Sequence, residues 1–450
     1  MNIHDIKKIY FLGIGGIGMS ALAKYFMWKG IKVAGYDKTT NDITKCLENE
    51  GADIHYIDDP ELIPSDIELV VFTPAIPVTD REFMFLKASG LPMLKRAEVL
   101  GLISQQANTI AIAGTHGKTT ITTMVAHILK TAGVEILAFM GGISINYGSN
   151  FLASDSPQWI IVEADEYDRS FLQLNPQIAV ITSMDADHLD IYSNRENFEE
   201  SFKMFIGKIA PDGALVLNVK LSQLKGLHPN SYTYGFVPEA DIIAENARIE
   251  YGMYVWEVDG KSGKDEFTLG VPGKYNMENA LAATVAASLA EVDLKDARKA
   301  LRTYRGVKRR FEIQLQSNKL VYIDDYAHHP DEIKAFIGSV REMFPERRIT
   351  AIFQPHLFSR TRDFADEFAE ALAMPDELIL LEIYPARELP IAGINSQFLL
   401  NKVELSDKKL IHDTELLRYI SKNDFDVLLT IGAGDIDRFV EPIKILLERC

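Results

Sequence analysis

The chain is 450 residues long, which predicts two or three domains, and its 47% hydrophobic and 25% charged residues are typical of a globular protein in water. Its formal net charge of −17 argues against nucleic acid or an anionic membrane as a partner, because either needs a basic face. Cys46 and Cys450 form neither a metal-spaced cluster nor a disulfide framework, and no signal peptide or membrane span is evident. We therefore expect a cytoplasmic monomer or homodimer that binds small anionic molecules in local positive pockets.

Short apolar segments alternate with helix-period segments along most of the chain, which predicts parallel α/β sheets. A polar stretch at 104–108 and a basic, glycine-containing stretch at 303–310 separate three such blocks. Short turn-separated strands at 231–271 predict a small antiparallel patch. In chain order the predicted elements are strand 8–13, helix 18–29, strands 32–37, 68–73, 109–113, 159–162 and 178–182, helix 279–289, strand 320–323, helix 332–343, strand 349–353, helix 364–372, strands 378–382 and 427–431, and helix 439–447.

The predicted fold class is therefore α/β with three domains. The N-terminal domain, 1–107, is predicted to be Rossmann-like. The central domain, 108–308, is predicted to be a P-loop ATPase-like parallel sheet with the small antiparallel patch. The C-terminal domain, 309–450, is again predicted to be Rossmann-like.

The first glycine-rich loop, Gly13-x-Gly15-Gly16-x-Gly18, lies between a predicted strand and a predicted helix, and Asp37 closes the next strand. Glycines let the backbone approach a pyrophosphate, whose negative charge the helix N-terminus favours. The pattern fits an NAD-dependent oxidoreductase with Asp37 on a ribose hydroxyl, but no catalytic residues for that reaction are evident downstream. The diphosphate of a UDP-sugar would suit the same loop for the same physical reasons. A glycine-rich turn that binds no ligand would also give this sequence pattern.

The second glycine-rich loop, Gly114-Thr115-His116-Gly117-Lys118-Thr119-Thr120, joins a predicted strand to an amphipathic helix. In a phosphate loop, backbone N–H groups and Lys118 hold the β- and γ-phosphates while Thr119 reaches Mg²⁺. The first glycine of the usual motif would fall at Ile112 and is absent, so Gly114 takes its place in a tighter loop. The position of this loop between strand and helix predicts nucleoside-triphosphate binding.

Acidic residues follow two neighbouring predicted strands, as Glu163-Ala164-Asp165-Glu166-Tyr167-Asp168 and as Asp185-Ala186-Asp187-His188-Leu189-Asp190. A phosphate loop requires a metal-binding acidic residue at the end of a neighbouring strand. Acidic strand ends are often only solvated loops. Two such clusters beside a phosphate loop nevertheless favour Mg²⁺ chemistry, with Glu163 as a ligand.

These motifs together resemble the Mur ligase family of peptidoglycan synthesis. The resemblance implies a first domain that binds a UDP-sugar, a second that binds ATP, and a third that closes over both and admits an amino acid. The segments 353–363, 384–388 and Gly432-Ala433-Gly434 look like those of the members that attach L-alanine to UDP-N-acetylmuramate. The further segments that carry the similarity, over nearly the whole chain, are Pro272-Gly273-Lys274-Tyr275-Asn276-Met277-Glu278-Asn279-Ala280, Arg309-Arg310-Phe311 and Asp324-Asp325-Tyr326-Ala327-His328-His329-Pro330.

The resemblance also implies roles for individual residues. His188 would join Thr119 and Glu163 on Mg²⁺, although a hard cation usually prefers oxygen. The implied UDP-sugar set is Gly15, Gly16, Gly18, Asp37, Thr73 and Arg96. The implied ATP set is Gly114, Thr115, His116, Gly117, Lys118, Thr119, Thr120, Asn276, Asn279, Arg310 and Asp325. The implied amino-acid set is Tyr326, His328, His356 and Arg360, and the implied catalytic set is Lys118, Glu163, His188, His328, His356 and Arg360.

The implied reaction begins with transfer of the γ-phosphoryl group of ATP to the sugar's carboxylate, while Lys118 and Mg²⁺ neutralise the developing charge. The amine of L-alanine then attacks the acyl phosphate, which gives an amide, ADP and phosphate. Histidine accepts protons near neutral pH, so His328 and His356 are the candidates for the amine proton. Arg360 is expected to pair with the amino acid's carboxylate, because a guanidinium matches it bidentately.

Three positions depart from the usual pattern of the alanine-adding members: Tyr167 replaces a serine, Tyr275 a histidine and Leu357 an arginine. Tyr167 resembles the recycling ligase that attaches the L-alanyl-γ-D-glutamyl-diaminopimelate tripeptide to the same sugar, so that enzyme is an alternative. Folylpolyglutamate synthetase is a more distant alternative, and it would not need the first domain. An NAD-dependent oxidoreductase leaves the second loop unexplained, and a non-catalytic nucleotide sensor would bind nucleotide without forming an amide.

Overall fold

The computed structural model describes residue 3 and residues 6–185, 195–250, 253–260, 263–386 and 388–448. Three β-sheets follow one another along the chain, and no helix in the described part is long and apolar enough to cross a membrane. By internal contacts the chain divides into two compact units. The first comprises Met1–Arg248, Val255–Leu269 and Glu278–Arg305, and the second Ile249–Tyr254, Gly270–Met277 and Gly306–Cys450. The three-domain boundaries stay a prediction.

The N-terminal sheet is parallel throughout, with strand order β3-β2-β1-β4-β5. The order reverses at β1 and β4, so a crevice opens beyond their carboxyl ends, where open α/β sheets bind ligands. The three strands and the helix that were predicted here are confirmed to within one residue, whereas the strands β3 and β5 and the helices α2, α3 and α4 were not predicted. The bounds are β1 (Lys8–Leu12), α1 (Ile17–Trp28), β2 (Lys32–Tyr36), α2 (Asp42–Asn49), β3 (Asp53–His55), β4 (Leu69–Phe72), α3 (Arg81–Ser89), β5 (Met93–Lys95) and α4 (Arg96–Ser104).

The central sheet has ten strands in the order β15-β14-β13-β12-β11-β10-β6-β9-β7-β8. The strand β6, which feeds the second glycine loop, lies between β10 and β9 and is parallel to both. The bounds are β6 (Asn108–Ala113), α5 (Lys118–Thr131), β7 (Ile136–Ser144), β8 (Ser149–Leu152), β9 (Trp159–Glu163), β10 (Ile178–Ile181), α6 (Arg195–Ile206), β11 (Ala214–Asn218), β12 (Ser231–Gly235), β13 (Ile242–Glu250), β14 (Met253–Gly260), β15 (Gly263–Leu269), α7 (Lys274–Leu289) and α8 (Leu294–Thr303).

The central sheet contains an antiparallel pair, β7 with β8, outside the segment that was predicted to be antiparallel. The segment predicted to be antiparallel, 231–271, forms β12 to β15, and its first strands pair in parallel, β12 with β11 and β13 with β12. The helix predicted at 279–289 begins earlier, at Lys274. The β7–β8 hairpin was missed because glycines at 141 and 142 interrupt its apolar pattern.

The first two sheets share a hydrophobic core inside the first compact unit. Tyr25 of α1 contacts Phe139 of β7 and Phe151 of β8, with ring centroids 5.8 and 6.2 Å away. The buried Asn150 side chain donates to the carbonyl of Ile17 at 2.7 Å and to the Ser20 hydroxyl at 2.9 Å. These contacts hold the helix after the first loop against the sheet that carries the second.

The C-terminal sheet has the order β16-β17-β21-β18-β19-β20, in which only the edge strand β16 is antiparallel to its neighbour. The helix predicted at 364–372 is confirmed as Ala365–Leu372. The short helix before it, Phe358–Asp363, was not predicted, and Phe364 separates the two because its φ of −117° is not helical. The bounds are β16 (Glu312–Gln316), β17 (Val321–Asp325), α9 (Pro330–Met343), β18 (Ile349–Phe353), α10 (Phe358–Asp363), α11 (Ala365–Leu372), β19 (Glu377–Leu380), α12 (Ser396–Lys402), β20 (Lys408–Leu410), α13 (Asp413–Ile420), β21 (Val427–Ile431) and α14 (Asp437–Leu447).

Candidate active site

The second glycine loop connects β6 to α5, at the point where the central sheet has parallel neighbours on both sides. Gly114 has φ +124°, and a Cβ there would collide with the Thr182 hydroxyl. Gly117 has φ +80°, and a Cβ there would lie 2.5 Å from Oδ1 of Asn279. Both positions therefore require glycine for conformation and for space, as a loop that wraps phosphate does.

Two hydroxyl residues just after β10 hold the second loop. Thr182 donates to the carbonyl of His116 at 2.5 Å, and the His116 N–H donates to Oγ of Ser183 at 3.0 Å. The Thr115 hydroxyl lies 2.8 Å from the same Oγ. Thr182 and Ser183 were not among the predicted site residues, although they lie at the end of a strand next to the loop strand, which is a usable signal.

Lys118, the first residue of α5, is surrounded by oxygens. Its Nζ donates to Glu166 Oε1 at 2.9 Å and to the Gly114 carbonyl at 2.6 Å. Burial by itself lowers the pKa of Lys118, but the carboxylates of Glu166, Asp165 and Glu163 together raise it above its usual value. Lys118 is therefore a cation at the loop, and its partner Glu166 was not among the predicted site residues.

Thr119 and Glu163 meet at the end of β9, where the Thr119 hydroxyl donates to Oε2 of Glu163 at 2.8 Å. Gly141 of β7 makes room for this carboxylate, because a Cβ there would overlap Glu163. A hydroxyl and a carboxylate at the phosphate loop are oxygen ligands of the kind that Mg²⁺ takes, so these residues fit the ion. His188 lies outside the described residues, within which no group of three or more His, Cys, Asp or Glu side chains forms a metal cluster.

The first glycine loop and its predicted partners come together at the carboxyl ends of β1 and β4. A Cβ on Gly13, which has φ +83°, would lie 3.0 Å from the Thr73 side chain, and one on Gly18 would lie 2.5 Å from the Arg96 guanidinium. Asp37 accepts from the Gly15 N–H at 2.8 Å, so its carboxylate shapes the loop. The same crevice therefore holds Arg96 and loop N–H groups, which suit a diphosphate.

In the C-terminal sheet, Asp325 ends β17 and is buried. It accepts from the N–H groups of Phe311 at 2.6 Å and Ala327 at 2.8 Å, yet burial raises its pKa to about 7. The Arg310 guanidinium lies over the ring of Tyr326 at 5.0 Å. Three of the predicted residues, Arg310, Asp325 and Tyr326, thus lie at one strand end.

Two histidines lie beyond the ends of β17 and β18. The rings of His328 and His356 are 6.2 Å apart, and His356 stacks on Tyr384 at 5.6 Å. Burial lowers the pKa of His328 to about 4; Glu332 opposes this change, and Arg360 and Arg310 reinforce it. His328 is therefore neutral at physiological pH and beside two cations.

Arg360 lies on the short helix α10, whose start is held from two sides. Leu357, the residue before α10, has φ +72°, and its N–H donates to the Tyr384 carbonyl at 3.0 Å. Glu388 accepts from the Ser359 N–H at 2.9 Å and from its hydroxyl. Glu388 was part of a family motif in the sequence but had no assigned role.

Two residues of the implied ATP set, Asn276 and Asn279, lie in α7. Asn276 is buried, and its Nδ2 donates to the Pro272 carbonyl at 2.6 Å. Asn279 lies against Gly117 of the phosphate loop. Asn276 belongs to the second compact unit and Asn279 to the first.

The fold and the loop geometry define a P-loop nucleotide-binding α/β enzyme. Family models match in chain order: the Mur ligase family catalytic domain over residues 8–108, the Mur ligase middle domain over 112–287, and the Mur ligase glutamate ligase domain over 309–434. The chain belongs to the Mur ligase family.

Similar proteins align over the full length of the chain. A UDP-N-acetylmuramate–L-alanine ligase from Cytophaga hutchinsonii is 47% identical over 100% of this chain and 98% of its own length. The same-named protein of Flavobacterium psychrophilum is also 47% identical, over 99% of each chain. The crystal structure of UDP-N-acetylmuramate-alanine ligase from Thermotoga maritima superimposes with a TM-score of 0.84 at 29% identity, covering 98% of each chain.

A murein peptide ligase from Psychrobacter arcticus superimposes with a TM-score of 0.74 at 22% identity, covering 99% of each chain, which shows a shared fold. The tripeptide-recycling and sensor alternatives are not favoured by these comparisons, because the full-length relatives carry the name of the alanine ligase.

Proposed function

We propose that this chain joins UDP-N-acetylmuramate to L-alanine through an amide bond, with ATP as the energy source and Mg²⁺ as the cofactor, in the cytoplasmic synthesis of peptidoglycan precursors. The observation that carries the proposal is the Lys118 loop beside Glu163, within a chain similar over its full length to alanine ligases. The three domains would take the jobs expected from the sequence: 1–107 the UDP-sugar, 108–308 ATP, and 309–450 the amino acid.

The phosphoryl-transfer step uses the second loop. Its backbone N–H groups and the Lys118 ammonium would bind the β- and γ-phosphates, displacing Glu166 from Lys118. Thr119 and Glu163, with His188 as implied by the family, would hold Mg²⁺, which screens the negative charge of the phosphates. Because Lys118 stays charged in its carboxylate surroundings, it neutralises the oxygen charge that develops during transfer to the sugar's carboxylate.

The amide-forming step uses the cluster around His328. The carboxylate of L-alanine would pair with Arg360, and its amine would lie near His328 and His356. His328 is neutral because burial lowers its pKa to about 4, so its ring has a free nitrogen lone pair at the pH of the cytoplasm. It thus orients the amine as a hydrogen-bond acceptor, while His356, stacked on Tyr384, is the second candidate for the proton.

The test is release of phosphate by the purified protein with ATP, Mg²⁺, UDP-N-acetylmuramate and L-alanine, with each component omitted in turn. Release should require all four, and chelation of the metal should stop it. Lys118→Ala should lower the rate by at least about 100-fold, because the main cation at the transferring group is lost. Lys130→Ala at the far end of α5 is the matched control. ATP binding without turnover under any condition would refute the proposal.

A further inference from the structure

The segment 163–168, which begins with the last residue of β9, is called the acidic connector. Three ion pairs tie it to cations of both glycine-loop regions. Glu166 pairs with Lys118 at 2.9 Å, and Asp165 pairs with Arg96 at 3.1 Å. Asp168 pairs with Lys95, next to Arg96, at 2.8 Å. One short segment therefore contacts the predicted ATP site and the predicted UDP-sugar site.

The acidic connector has a defined conformation. The Glu166 side chain is only 1% exposed, and Asp165 accepts from the Tyr167 N–H at 3.1 Å. The backbone then turns sharply, because Asp168 and Arg169 have φ of 52° and 54°, a conformation that costs energy in residues other than glycine. Such a segment holds its strained shape only while its contacts persist.

Two carboxylates of the connector, those of Asp165 and Glu166, are each paired with a cation that a phosphate ligand needs. Arg96 covers Gly18 of the first loop, where a diphosphate would bind, and it is held there by Asp165. Lys118 lies in the phosphate loop and is held by Glu166. An incoming anion must therefore compete with a carboxylate at either site, and the two carboxylates are adjacent in the chain.

We propose that Asp165 is a positioning residue that couples the two phosphate sites, so that binding of ATP at Lys118 strengthens binding of the UDP-sugar at Arg96. The coupling rests on the proposed function of the two loops. ATP separates Glu166 from Lys118 and thereby removes one of the ion pairs that keep the connector in place. Less free energy is then needed to separate Asp165 from Arg96, so the diphosphate of the UDP-sugar binds more tightly at Arg96. By linkage the UDP-sugar strengthens ATP binding by the same factor.

The expected result for the wild-type protein is a UDP-N-acetylmuramate dissociation constant at least about 5-fold lower with saturating Mg²⁺ and a non-hydrolysable ATP analogue than without them. Asp165→Asn removes the competitor of the anion. This variant should bind UDP-N-acetylmuramate more tightly than the wild type in the absence of nucleotide, and the analogue should then change the affinity by less than about 2-fold. Asp165→Glu, which keeps the charge, should restore the coupling.

The measurement is isothermal titration calorimetry of the whole chain, with Asp212→Asn as the control. Asp212 is exposed and precedes β11, at the opposite end of the central strands from the phosphate loop. Asp165→Ser serves as a second neutral variant, so misfolding of one does not decide the result. Equal coupling in wild type and both neutral variants would overturn the role of Asp165, and independent binding in the wild type would overturn the coupling itself. Failure of the wild type to bind UDP-N-acetylmuramate at all would instead overturn the proposed function.

Discussion

At the level of single residues, the Lys118 ammonium donates to Glu166 and to the Gly114 carbonyl before any phosphate is bound. The glycine–lysine–threonine order predicts a phosphate-binding lysine because the residue types themselves carry the chemistry. Its partner Glu166 is three residues beyond Glu163, on another strand end, and only the folded sheet brings it to 2.9 Å from Nζ. The reactive residue was thus predictable, whereas the group that holds it before substrate binds was not.

His328 gives a residue-level prediction about pH. The folded-state pKa, about 4, lies below the ordinary value of 6.5, so between these values the unfolded chain binds the proton and the folded chain does not. The neutral His328 side chain therefore contributes its full stabilisation of the folded state above pH 6.5, and this stabilisation is lost as the pH falls toward 4. Relative to His328→Gln, the wild type should lose about 1 to 2 kcal/mol of unfolding free energy between pH 7 and pH 5.

The measurement for His328 is equilibrium urea unfolding of the wild type and His328→Gln at both pH values. The exposed His412, changed to glutamine, provides a matched control that should leave the pH dependence as it is. An identical pH dependence in wild type and His328→Gln would show that the imidazole is not held neutral by burial.

At the level of elements, the site follows from where parallel strands end. The strands β6, β9 and β10 are neighbours, and their carboxyl ends bring the phosphate loop, Glu163 and Thr182 to one edge. The strands themselves were predictable from their short apolar runs. Their order was not, because pairing in a sheet depends on packing between distant segments.

Gly141 gives an element-level prediction, because β7 approaches β9 closely enough that any Cβ would displace the Glu163 carboxylate. Gly141→Ala should raise the Mg²⁺ concentration for half-maximal activity by about 10-fold or more, as disturbed metal ligands do. Gly338→Ala is the matched control, since a Cβ there meets only the end of the Met374 side chain at 3.8 Å. The measurement is a titration of activity with Mg²⁺. An unchanged Mg²⁺ concentration for half-maximal activity would show that Glu163 is not a ligand of the metal.

The start of α10 gives a second prediction of this kind. Glu388 fixes the first turn of the helix that carries Arg360 by accepting from Ser359. A lost cap costs about 0.5 to 2 kcal/mol, so Glu388→Gln should raise the KM for L-alanine by about 2- to 30-fold with little change in the KM for ATP. The exposed Glu404→Gln is the control. The measurement is steady-state kinetics with each substrate varied. If the KM values for L-alanine and ATP rise together, or if neither rises, Glu388 does not position Arg360.

At the level of the whole molecule, the α/β class, the two glycine loops and the family were accessible from sequence, since each loop brings a local pattern of residue types. The histidine cluster was accessible only through resemblance. Its geometry arises when the ends of β17, β18 and β19 meet, which brings His356 onto Tyr384. The role of Leu357 was also hidden, because a positive φ before α10 cannot be read from a leucine.

The acceptor amino acid is the central claim, and a competition experiment tests it most directly. The purified chain would receive ATP, Mg²⁺ and UDP-N-acetylmuramate together with equal concentrations of L-alanine and the L-alanyl-γ-D-glutamyl-diaminopimelate tripeptide, and the products would be separated by mass. We predict that UDP-N-acetylmuramoyl-L-alanine is the dominant product and that glycine or L-serine substitutes poorly. A dominant tripeptide product would contradict the account and assign the recycling reaction to this chain.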